Sequence, residues 1–570
     1  MSERNEIEGA SNSLDIIPLG GLEEIGLNCT ALVYGRDILV IDAGLMFPEV
    51  KQPGVDLVVP DFSFLKNNAD RVLGLILTHG HEDHIGALAH FLKDVPTTVY
   101  GTRLTLAMSM DRLDEYQVPV PPLVVVRPRQ TAKLGPFEVE FIGVNHSILD
   151  GVGLAVTTPL GVIIHTGDFK IDPCAPPAER TDLFTFARYG ESGVLALLSD
   201  STNSDVPGHS LSEVEVGRAL TSLFQMAKGR IILACFASSL ARIRQVALAA
   251  QNSGRKLLFD GRSMLNSVSL GCQVGYLNLE EGAVVEIDEA MALPDDKLVV
   301  VATGSQGEPL SALARMASGE HKHIKVDQGD TIIFSARVIP GNERAILTLT
   351  NLFHGIGATV VDSRYHTVHA SGHGQMEELK LMLDLTKPKY LIPIHGEPQH
   401  VLKHAALAME TGMEADRIKI LKDGQRLMFT PNGSCQLGAP IHTGRMVVDG
   451  NRLGQADDPV LRSRLSLAEM GLVYVILVLN AKDLSLAAPP QVNIHALHYE
   501  DEPHLESEAV ETTELTLEEW REKQMPPDDF DLSNLIDNVK RNVRRLFKRA
   551  ISRKPLIFTE VIFIGDGEDG

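Results

Sequence analysis

Short apolar runs separated by glycine turns dominate the first part of the chain. Residues 14–45 contain three such runs, LDIIPLGG, NCTALVYG and DILVIDAG, and the polar corner at 34–37 predicts a β-hairpin. From residue 73 onward a strand, a loop and a helix follow one another. Further strands are predicted at 123–127, 137–144, 152–157 and 161–165. Strands with interspersed helices indicate a layered α/β sandwich.

From about residue 211 helical and strand patterns alternate. Helices are predicted over 211–227 and 240–253, and strands over 230–235, 256–259, 298–302 and 331–334. This alternation is typical of a parallel βαβ sheet in a separate lobe. From about residue 456 a third pattern follows: a strand at 472–479, an acidic stretch at 500–531, a helix at 531–549 and the closing strand PLIFTEVIFI.

Composition narrows the class of protein. A chain of 570 residues is too long for one core, and its length suggests roughly three or four domains. The net charge of −23 argues against a surface that binds nucleic acid everywhere, but not against a local basic groove. The sequence has no uncharged apolar run of membrane-spanning length and no signal-peptide pattern at its start, so we expect a cytoplasmic protein without membrane association. The five cysteines form no CxxC pair and are expected to be buried, reduced thiols.

The most informative motif is the segment Leu77-Thr78-His79-Gly80-His81-Glu82-Asp83-His84, which follows a predicted strand. His79 and His81, spaced by two, point to one side of an extended segment and suit one metal ion. Asp83 and His84 enter a helix and suit a second ion close by. Imidazole and carboxylate ligands favour zinc or a comparable divalent ion.

Three later residues extend this pattern. His146, Asp168 and His395 each stand just after an apolar strand, where loops converge on one edge of a sheet. Alone, each is more often a polar cap or a turn residue than a ligand, and only their order makes them candidates. Since His395 follows the helical lobe, that lobe is predicted to be inserted into the first domain. Asp42, at the end of DILVID, is predicted to accept hydrogen bonds from the ligands and orient them.

These motifs resemble known families. Asp42, His79-x-His81-x-Asp83-His84, His146 and Asp168 are similar to the ordered motifs of the metallo-β-lactamase fold. Asp200 in LSDSTN, His373 in HASGHG and His395 in PIHGE resemble motifs A, B and C of the β-CASP nucleases. The blocks ACFASSLARI, ATGSQGEPLSALARMA, PGNE, KPKYLIPIHGEP and NVRRLFKRAISRKPLIFTEVIFI resemble the ribonuclease J family. The third motif, NHSILD, departs slightly from the family pattern at Asn145 and Leu149.

The resemblance implies a fold and domain boundaries. The fold class is α/β: a metallo-β-lactamase αββα sandwich with an inserted β-CASP α/β domain and a small C-terminal α+β domain. The first part of the metallo-β-lactamase domain would cover residues 1–212 and its return segment 371–455. The inserted domain would cover residues 213–370, and a linker with the C-terminal domain 456–570.

The resemblance also implies the roles of site residues. Two Zn²⁺ ions per subunit are implied, with Mn²⁺ or Mg²⁺ as ions that support activity. One ion would be held by His79, His81 and His146, the other by Asp83, His84 and His395, with Asp168 bridging the two. Asp200 would be a proton donor, His373 an acid/base group at the scissile phosphate, and Asp83 a catalytic residue as well as a ligand.

Two segments are candidates for the substrate's 5′ end. His369-Ala370-Ser371-Gly372-His373 contains small residues that let backbone N–H groups approach a phosphate. Phe236-Ala237-Ser238 precedes a predicted helix, whose N-terminus favours anions. In the resembled family both segments bind the 5′-nucleotide and its monophosphate, whereas the alternative is that both are ordinary strand-to-helix turns.

Basic residues leave two alternatives open. Arg242, Arg244, Arg337 and Arg364 either line an RNA groove or lie on the solvated surface. The helix at 531–549 carries Lys540, Arg541, Arg544, Arg545, Lys548 and Arg549 beside an apolar face. That helix either binds RNA or, as we favour, packs on the closing sheet and pairs its charges with the acidic stretch.

The implied function is RNA processing and decay, including rRNA processing and mRNA decay. The reaction would be two-metal hydrolysis of phosphodiester bonds in single-stranded, 5′-monophosphorylated RNA, by a 5′-to-3′ exonuclease with endonuclease activity that leaves 5′-phosphate products. A homodimer or homotetramer and partner proteins of RNA decay are also implied. The alternatives are a DNA-processing β-CASP nuclease, a small-molecule hydrolase of the same fold, and a non-catalytic RNA-binding scaffold.

Overall fold

The computed structural model describes residues 12–49, 52–339, 341–450, 452–455, 458–498, 504–523 and 531–565. The described residues fall into two compact units. The first comprises Met1–Met46 and Val58–Arg445, and the second comprises Phe47–Leu57 and Met446–Gly570. The predicted domain boundaries after residues 212, 370 and 455 remain predictions.

The strands, in chain order, are β1 Leu14–Gly20, β2 Cys29–Tyr34, β3 Asp37–Ile41, β4 Leu57–Pro60, β5 Val72–Ile76, β6 Val99–Gly101, β7 Leu123–Val125, β8 Thr131–Leu134, β9 Phe137–Gly143, β10 Val152–Thr158, β11 Gly161–His165, β12 Val194–Asp200, β13 Ile231–Ala234, β14 Lys256–Asp260, β15 Leu298–Ala302, β16 Thr331–Phe334, β17 Thr359–Val361, β18 Tyr390–Ile394, β19 Leu427–Phe429, β20 Cys435–Leu437, β21 Arg445–Asp449, β22 Arg452–Gln455, β23 Leu472–Asn480, β24 Leu486–His495 and β25 Leu556–Ile564.

The α-helices, in chain order, are α1 Ser63–Lys66, α2 Glu82–Ile85, α3 Leu88–Asp94, α4 Arg103–Glu115, α5 Leu183–Ser192, α6 Glu213–Met226, α7 Leu240–Asn252, α8 Arg262–Gln273, α9 Ile287–Ala292, α10 Ala312–Ser318, α11 Glu343–Ile356, α12 Met376–Thr386, α13 Pro398–Glu410, α14 Pro459–Met470, α15 Leu505–Lys523 and α16 Leu532–Ile551.

Two mixed sheets form the sandwich of the first unit. One has the strand order β20-β19-β1-β2-β3-β5-β6-β7, and the other β18-β12-β11-β10-β9-β8. Their facing side chains, such as Ile16 and Leu39 from the first sheet and Phe141 and Leu154 from the second, form one core. Full burial of such a side chain stabilises the fold by about 1.5–3 kcal/mol. Helices α5, α12 and α13 cover the outer face of the second sheet. The predicted metallo-β-lactamase sandwich is confirmed.

An all-parallel sheet, in the order β14-β15-β13-β16-β17, lies between β12 and β18 in the sequence. Ile231 and Leu233 point to the face covered by α6, α7 and α8. Ile232 and Ala234, one residue out of phase, point to the face covered by α10 and α11. Because both faces are buried, its strands are almost continuously apolar. The predicted inserted α/β domain is confirmed.

The insertion does not interrupt the sheet that receives it. Strand β12 ends just before the insertion, and β18 begins after it, yet the two strands pair in parallel. Glu378 accepts hydrogen bonds from the backbone N–H of Ile171, Ser210 and Gln375. The segment that leaves the sandwich, at Ser210, and the segment that returns to it, at Gln375, therefore both donate hydrogen bonds to the buried carboxylate of Glu378.

The second unit contains the sheet β24-β23-β25 and the hairpin β21–β22. Apolar side chains of β23 and β25 pack against α15 and α16 in one core. The apolar face of α16, including Val539, Val543 and Phe547, is buried there, which confirms the favoured packing prediction for this helix. Among the described residues no ion pair joins α15 to α16, and the rest of the acidic stretch lies outside them, so the charge pairing stays a prediction.

Other predictions differ in detail. Part of the acidic stretch forms the helix α15, which sequence patterning did not predict; residues 499–503 and 524–530 lie outside the described residues. The prediction of buried cysteines is right for Cys29 and Cys235 but wrong for Cys174 and Cys272, which are exposed, while Cys435 is half-buried. Within the described ranges, no helix combines the length and apolar character needed to cross a membrane.

Candidate metal centre

The metal-ligand candidates lie on loops at one edge of the two sheets. His79, His81, Asp83 and His84 follow β5, and the last two belong to the single-turn helix α2. His146, Asp168 and His395 follow β9, β11 and β18. Since β5 belongs to one sheet and the other three strands to its partner, the sandwich brings all seven side chains together.

The first cluster consists of His79, His81, His146 and Asp168. Nδ1 of His81 lies 3.1 Å from Nε2 of both His79 and His146. Oδ2 of Asp168 lies 3.6 Å from Nε2 of His79 and 3.7 Å from Nε2 of His146. Four ligand atoms thus surround one point.

The second cluster consists of Asp83, His84, His395 and the same Asp168. Nε2 of His395 lies 3.1 Å from Oδ2 of Asp83, and Nε2 of His84 lies 3.7 Å from that oxygen. Oδ2 of Asp168 lies 3.4 Å from Nε2 of His84 and 3.8 Å from Nε2 of His395. One carboxylate oxygen therefore belongs to both clusters.

These separations fit bound metal ions. Metal–ligand distances of 2.0–2.1 Å in a tetrahedral site place neighbouring ligand atoms about 3.3 Å apart. The observed separations, 3.1–3.8 Å, bracket that value in both clusters. The nitrogen and oxygen donor sets thus fit two divalent ions with Asp168 between them.

Asp42 orients the second cluster. Nδ1 of His84 lies 2.7 Å from Oδ2 of Asp42 and donates to it, which directs Nε2 toward the cluster. Thr78 holds Asp42 in turn, since its backbone N–H donates to Oδ1 and its hydroxyl to Oδ2. Asp42 has a φ of 62° and His395 one of 53°, a conformation that disfavours side chains and is common at functional sites.

Two other ligand imidazoles are held in the same way. Nδ1 of His146 donates to the carbonyl of Gly372 at 2.7 Å, so that its Nε2 carries the lone pair that faces the first cluster. Nδ1 of His395 lies 2.7 Å from the hydroxyl of Thr202, which leaves its Nε2 for the second cluster.

The first cluster has neutral imidazoles before any ion binds. Burial, reinforced by neighbouring imidazoles, holds the pKa of His79 and that of His146 well below their usual range. Burial is also the main cause that lowers the pKa of His81 to about 4. A neutral imidazole offers a lone pair, so these three residues are ready to bind a cation near neutral pH.

The second cluster is electrostatically different. Burial alone would lower the pKa of His84, but Asp168, Asp83 and Asp42 outweigh it and raise that pKa to about 10. The pKa of His395 lies well above its usual range because Asp168, Asp200 and Asp83 also outweigh burial there. Without an ion, protons on these imidazoles balance the carboxylates. A cation that binds here displaces them.

A third set of groups adjoins both clusters. Nδ1 of His373 lies 2.8 Å from Oδ2 of Asp200 and 3.9 Å from Oδ2 of Asp168. Asp200 outweighs burial and raises the pKa of His373, while His373 outweighs burial and lowers the pKa of Asp200. The side chain of Asp200 is only 2 % exposed, whereas that of His373 is 19 % exposed. This pair is therefore a buried carboxylate hydrogen-bonded to a partly exposed imidazole whose protonated form it favours.

The predicted substrate segments lie near this pair. The segment 369–373 passes the first cluster at Gly372 and joins the Asp200 pair at His373. His369 is half-buried, and burial lowers its pKa to about 3. Phe236, Ala237 and Ser238 form the turn between β13 and α7 and are half-buried. Ala237 packs against the core cluster that includes Val368 and Ala370, which places the two segments around shared apolar contacts.

The four arginines have different environments. Arg242 is 2 % exposed and donates to Glu213, Ser335 and the carbonyl of Val368, so neither alternative considered for it is correct. Arg244 binds Glu179 through two nitrogens, and exposed Arg364 binds Asp362. Arg337 is exposed and donates to Oδ1 of Asn203.

Sequence reasoning missed several residues that shape the site. Asn28 donates through Nδ2 to the carbonyl of Asp83 and lies 3.1 Å from Nε2 of His84. Thr202 and Asn203 contact His395 and His373. Because these two lie two and three residues after Asp200 in a polar run after a strand, they could have been identified. Nothing in the sequence around Asn28 marks it.

Four family models match successive parts of the chain. Residues 24–207 match the metallo-beta-lactamase superfamily and residues 228–353 the ribonuclease J beta-CASP domain. Residues 359–419 match a Zn-dependent metallo-hydrolase RNA specificity domain and residues 459–564 the ribonuclease J C-terminal domain.

Similar proteins extend over nearly the whole chain. The chain is 38 % identical over 568 residues to ribonuclease J of Corynebacterium glutamicum. The alignment covers 98 % of this chain and 78 % of the relative. It is 38 % identical over 556 residues to ribonuclease J of a Synechocystis species, and the alignment covers 96 % of this chain and 86 % of that relative. It is 37 % identical over 555 residues to ribonuclease J of Mycobacterium tuberculosis, and that alignment covers 97 % of this chain and 98 % of the relative.

Among solved structures, a protein of unknown function from Enterococcus faecalis V583 superposes with a TM-score of 0.52 at 15 % identity. The superposition covers 73 % of this chain and 100 % of that one. At this identity the likeness concerns the fold alone.

Proposed function

Because the chain belongs to the ribonuclease J family, we propose that it is an RNA-processing and RNA-decay nuclease that hydrolyses phosphodiester bonds with two divalent metal ions. The observation that carries this proposal is the shared oxygen of Asp168 between two ligand clusters, beside the Asp200–His373 pair. The proposed ions are Zn²⁺, with Mn²⁺ or Mg²⁺ also supporting activity. His79, His81 and His146 would hold one ion and Asp83, His84 and His395 the other, while Asp168 would contribute to both clusters.

Two ions in these clusters would supply an activated water and neutralise the negative charge that develops on the reacting phosphate. The remaining chemistry belongs to side chains. Asp200 raises the pKa of His373 and so favours the imidazolium, which donates from Nδ1 to Asp200 and gives its second proton, on Nε2, to the leaving oxygen. Asp200 stays ionised and keeps the imidazole oriented and protonated. This assignment rests on burial, since Asp200 is the inner member of the pair.

The substrate part of the proposal is 5′-monophosphorylated single-stranded RNA, degraded from 5′ to 3′ with additional internal cleavage. The segment 369–373 supports it, because its small residues adjoin Gly372, whose carbonyl accepts a hydrogen bond from His146 of the first cluster. Phe236, Ala237 and Ser238 are the second substrate segment of the proposal, and Ala237 packs against the same core cluster as Ala370. Cytoplasmic action, assembly into dimers or tetramers and association with RNA-decay proteins are parts of the same proposal, and light scattering of the purified protein tests the oligomer.

The experiment compares substrates at one enzyme concentration with Zn²⁺, Mn²⁺ or Mg²⁺. Linear RNA with 5′-monophosphate, 5′-triphosphate or 5′-hydroxyl ends tests end dependence, and circular RNA tests internal cleavage. DNA of the same sequence and a chromogenic β-lactam test the two alternative enzyme classes. We expect mononucleotides from the 5′-monophosphorylated RNA and 5′-phosphate ends in all products. Absence of cleavage of every RNA with every metal would overturn the proposal.

A further inference from the structure

Arg337 projects from the inserted domain toward the catalytic pair. It lies just after β16, and its backbone carbonyl accepts a hydrogen bond from the side chain of Gln306, which also fixes the backbone N–H of Ile339. Its side chain is exposed, and its Nη1 donates to Oδ1 of Asn203 at 2.9 Å. The base of this arginine is thus fixed while its charged end remains accessible.

Asn203 connects Arg337 to the segment that carries His373. The Nδ2 atom of Asn203 donates to the hydroxyl oxygen of Ser371 at 2.7 Å and to the carbonyl of His373 at 3.1 Å. Two hydrogen bonds, both made by the side chain of Asn203, therefore link the guanidinium to the hydroxyl of Ser371. The same side chain links the guanidinium to the backbone carbonyl of His373. Arg337 is thus linked through Asn203 to the segment that carries His373, although it belongs to the inserted domain.

Two donors of this network lack acceptors in the described part of the chain. The hydroxyl oxygen of Ser371 accepts from Asn203 and from the backbone N–H of His373, so its own hydrogen points elsewhere and finds no acceptor there. A guanidinium has five N–H donors, and Arg337 uses one of them on a neutral amide oxygen. Arg242, Arg244 and Arg364, in contrast, are each neutralised by a carboxylate.

Spare donors and an uncompensated positive charge, side by side at an accessible surface, are the features that bind a phosphate. We infer that Arg337, together with the hydroxyl of Ser371, binds a phosphate group of the RNA next to His373. This inference rests on the proposed function for the identity of the polymer. The phosphate is either the 5′-terminal monophosphate or an internal phosphodiester. An RNA with a 5′-hydroxyl end lacks the first and keeps the second, so it distinguishes the two.

The test measures equilibrium binding of full-length, metal-loaded protein by fluorescence anisotropy. The probes are single-stranded oligoribonucleotides with phosphorothioate linkages, which slow hydrolysis, and with either a 5′-phosphate or a 5′-hydroxyl end. Arg337→Gln is expected to weaken binding about 10- to 100-fold, the range for a lost charge-assisted hydrogen bond. A loss confined to the 5′-phosphate probe identifies the terminal phosphate, and a loss on both probes identifies an internal one.

Salt dependence separates a phosphate contact from a structural effect. For single-stranded RNA each lost phosphate contact lowers the slope of log affinity against log salt by about 0.7. We expect this decrease for Arg337→Gln and an unchanged slope for Arg337→Lys, which keeps the charge. The matched control is Arg36→Gln, which removes an exposed arginine at the start of β3, the opposite end from Asp42. That control should keep wild-type affinity and slope.

Two results would overturn the inference: wild-type affinity and slope in Arg337→Gln, or an equal loss of affinity with no change in slope. The proposed function fails separately, because binding is measured without cleavage. A wild-type protein that binds RNA through Arg337 but hydrolyses none would contradict the nuclease proposal and still support this inference.

Discussion

The hydroxyl of Thr202 lies 2.7 Å from Nδ1 of His395 and 2.7 Å from Oδ1 of Asp200. When the hydroxyl donates to the carboxylate, its oxygen accepts the Nδ1 proton of His395 and fixes the tautomer in which Nε2 faces the second cluster. Thr202 is thus the side chain that connects the carboxylate of Asp200 to a ligand imidazole.

Substitution of Thr202 should weaken the second ion selectively. Loss of an outer hydrogen bond to a ligand imidazole commonly costs 10- to 100-fold in metal affinity. We expect Thr202→Ala to lose affinity for one of two ions by about that factor and Thr202→Ser, which keeps the hydroxyl, to restore it. Metal titration of the purified variants measures both constants. Equal loss of both ions in Thr202→Ala would contradict the prediction.

Asp168 should matter to both ions at once. Its Oδ2 lies within 3.4–3.8 Å of nitrogen atoms in both clusters. Asp168→Ala is therefore expected to reduce bound metal to below one ion per subunit and to abolish hydrolysis, while circular dichroism stays unchanged. Elemental analysis of the purified protein measures the metal.

A matched control for Asp168 is available inside the HGHEDH motif. Glu82 binds Arg112 through both carboxylate oxygens and is not among the clustered ligands. Glu82→Gln should keep both ions and at least half of the activity. Retention of two ions by Asp168→Ala, or loss of them by Glu82→Gln, would show that the ligand assignment is wrong.

The Asp200–His373 pair should govern the alkaline limb of the pH–rate profile. Asp200 raises the pKa of His373 against the effect of burial, so Asp200→Asn should lower that pKa. Because the proposed mechanism needs protonated His373, activity in the variant should be lost at a lower pH than in the wild type. Its maximal rate should fall about 10²- to 10⁴-fold, the usual worth of acid–base catalysis. An alkaline limb at the wild-type position would exclude His373 as the acid.

Proton release on metal binding should differ between the clusters. The raised pKa of His84, about 10, and the raised pKa of His395 mean that an ion entering the second cluster displaces up to two protons. The apparent affinity of that ion should therefore fall as the pH falls, by up to about 100-fold per pH unit near neutrality. The first cluster, whose imidazoles are already neutral, should bind almost independently of pH between 6 and 8. Calorimetry in buffers of different ionisation enthalpy measures the protons released.

Gly372 should tolerate no side chain. A Cβ atom placed there would lie 2.6 Å from the imidazole ring of His146 and 2.7 Å from the backbone nitrogen of Ser147. Gly372→Ala is expected to displace His146 and to lower affinity for the first ion about 10- to 100-fold. Gly355→Ala, in the last turn of α11 with open space around it, is the control and should keep both ions. Unchanged metal affinity in Gly372→Ala would contradict the role of this backbone contact.

Sequence patterns predicted the elements that carry the ligands because these residues are close in sequence to apolar strands. The segment from His79 to His84 follows β5 directly, and His146, Asp168 and His395 each follow a strand of the second sheet. The partners that orient them were harder to predict, because Gly372 and Thr202 contact ligands that are distant in the chain. Resemblance to a family, and not periodicity, supplied Asp200 and His373.

The burial of Arg242 and the formation of helix α15 both depend on contacts with residues that are distant in the sequence, so the local pattern did not predict them. Arg242 is buried because Glu213, Ser335 and Val368 converge on it from three elements, and a lone arginine in the sequence carries no sign of that. In α15 the apolar residues, among them Ala509, Leu517 and Trp520, are widely separated by acidic ones. Packing against α16 and β24 compensates for that weak pattern.

Strand β18, which pairs in parallel with β12, is synthesised only after the inserted domain, so the ligand that follows it is added late. On the ribosome, β12 and six of the seven ligand residues emerge early, but His395 emerges only after the entire inserted domain. A domain that folds as it is made, at about 5–20 residues per second, therefore waits tens of seconds for its last ligand. The nascent chain thus carries an incomplete set of ligands beside the messenger that encodes it, and the set is completed only once the inserted domain has been made.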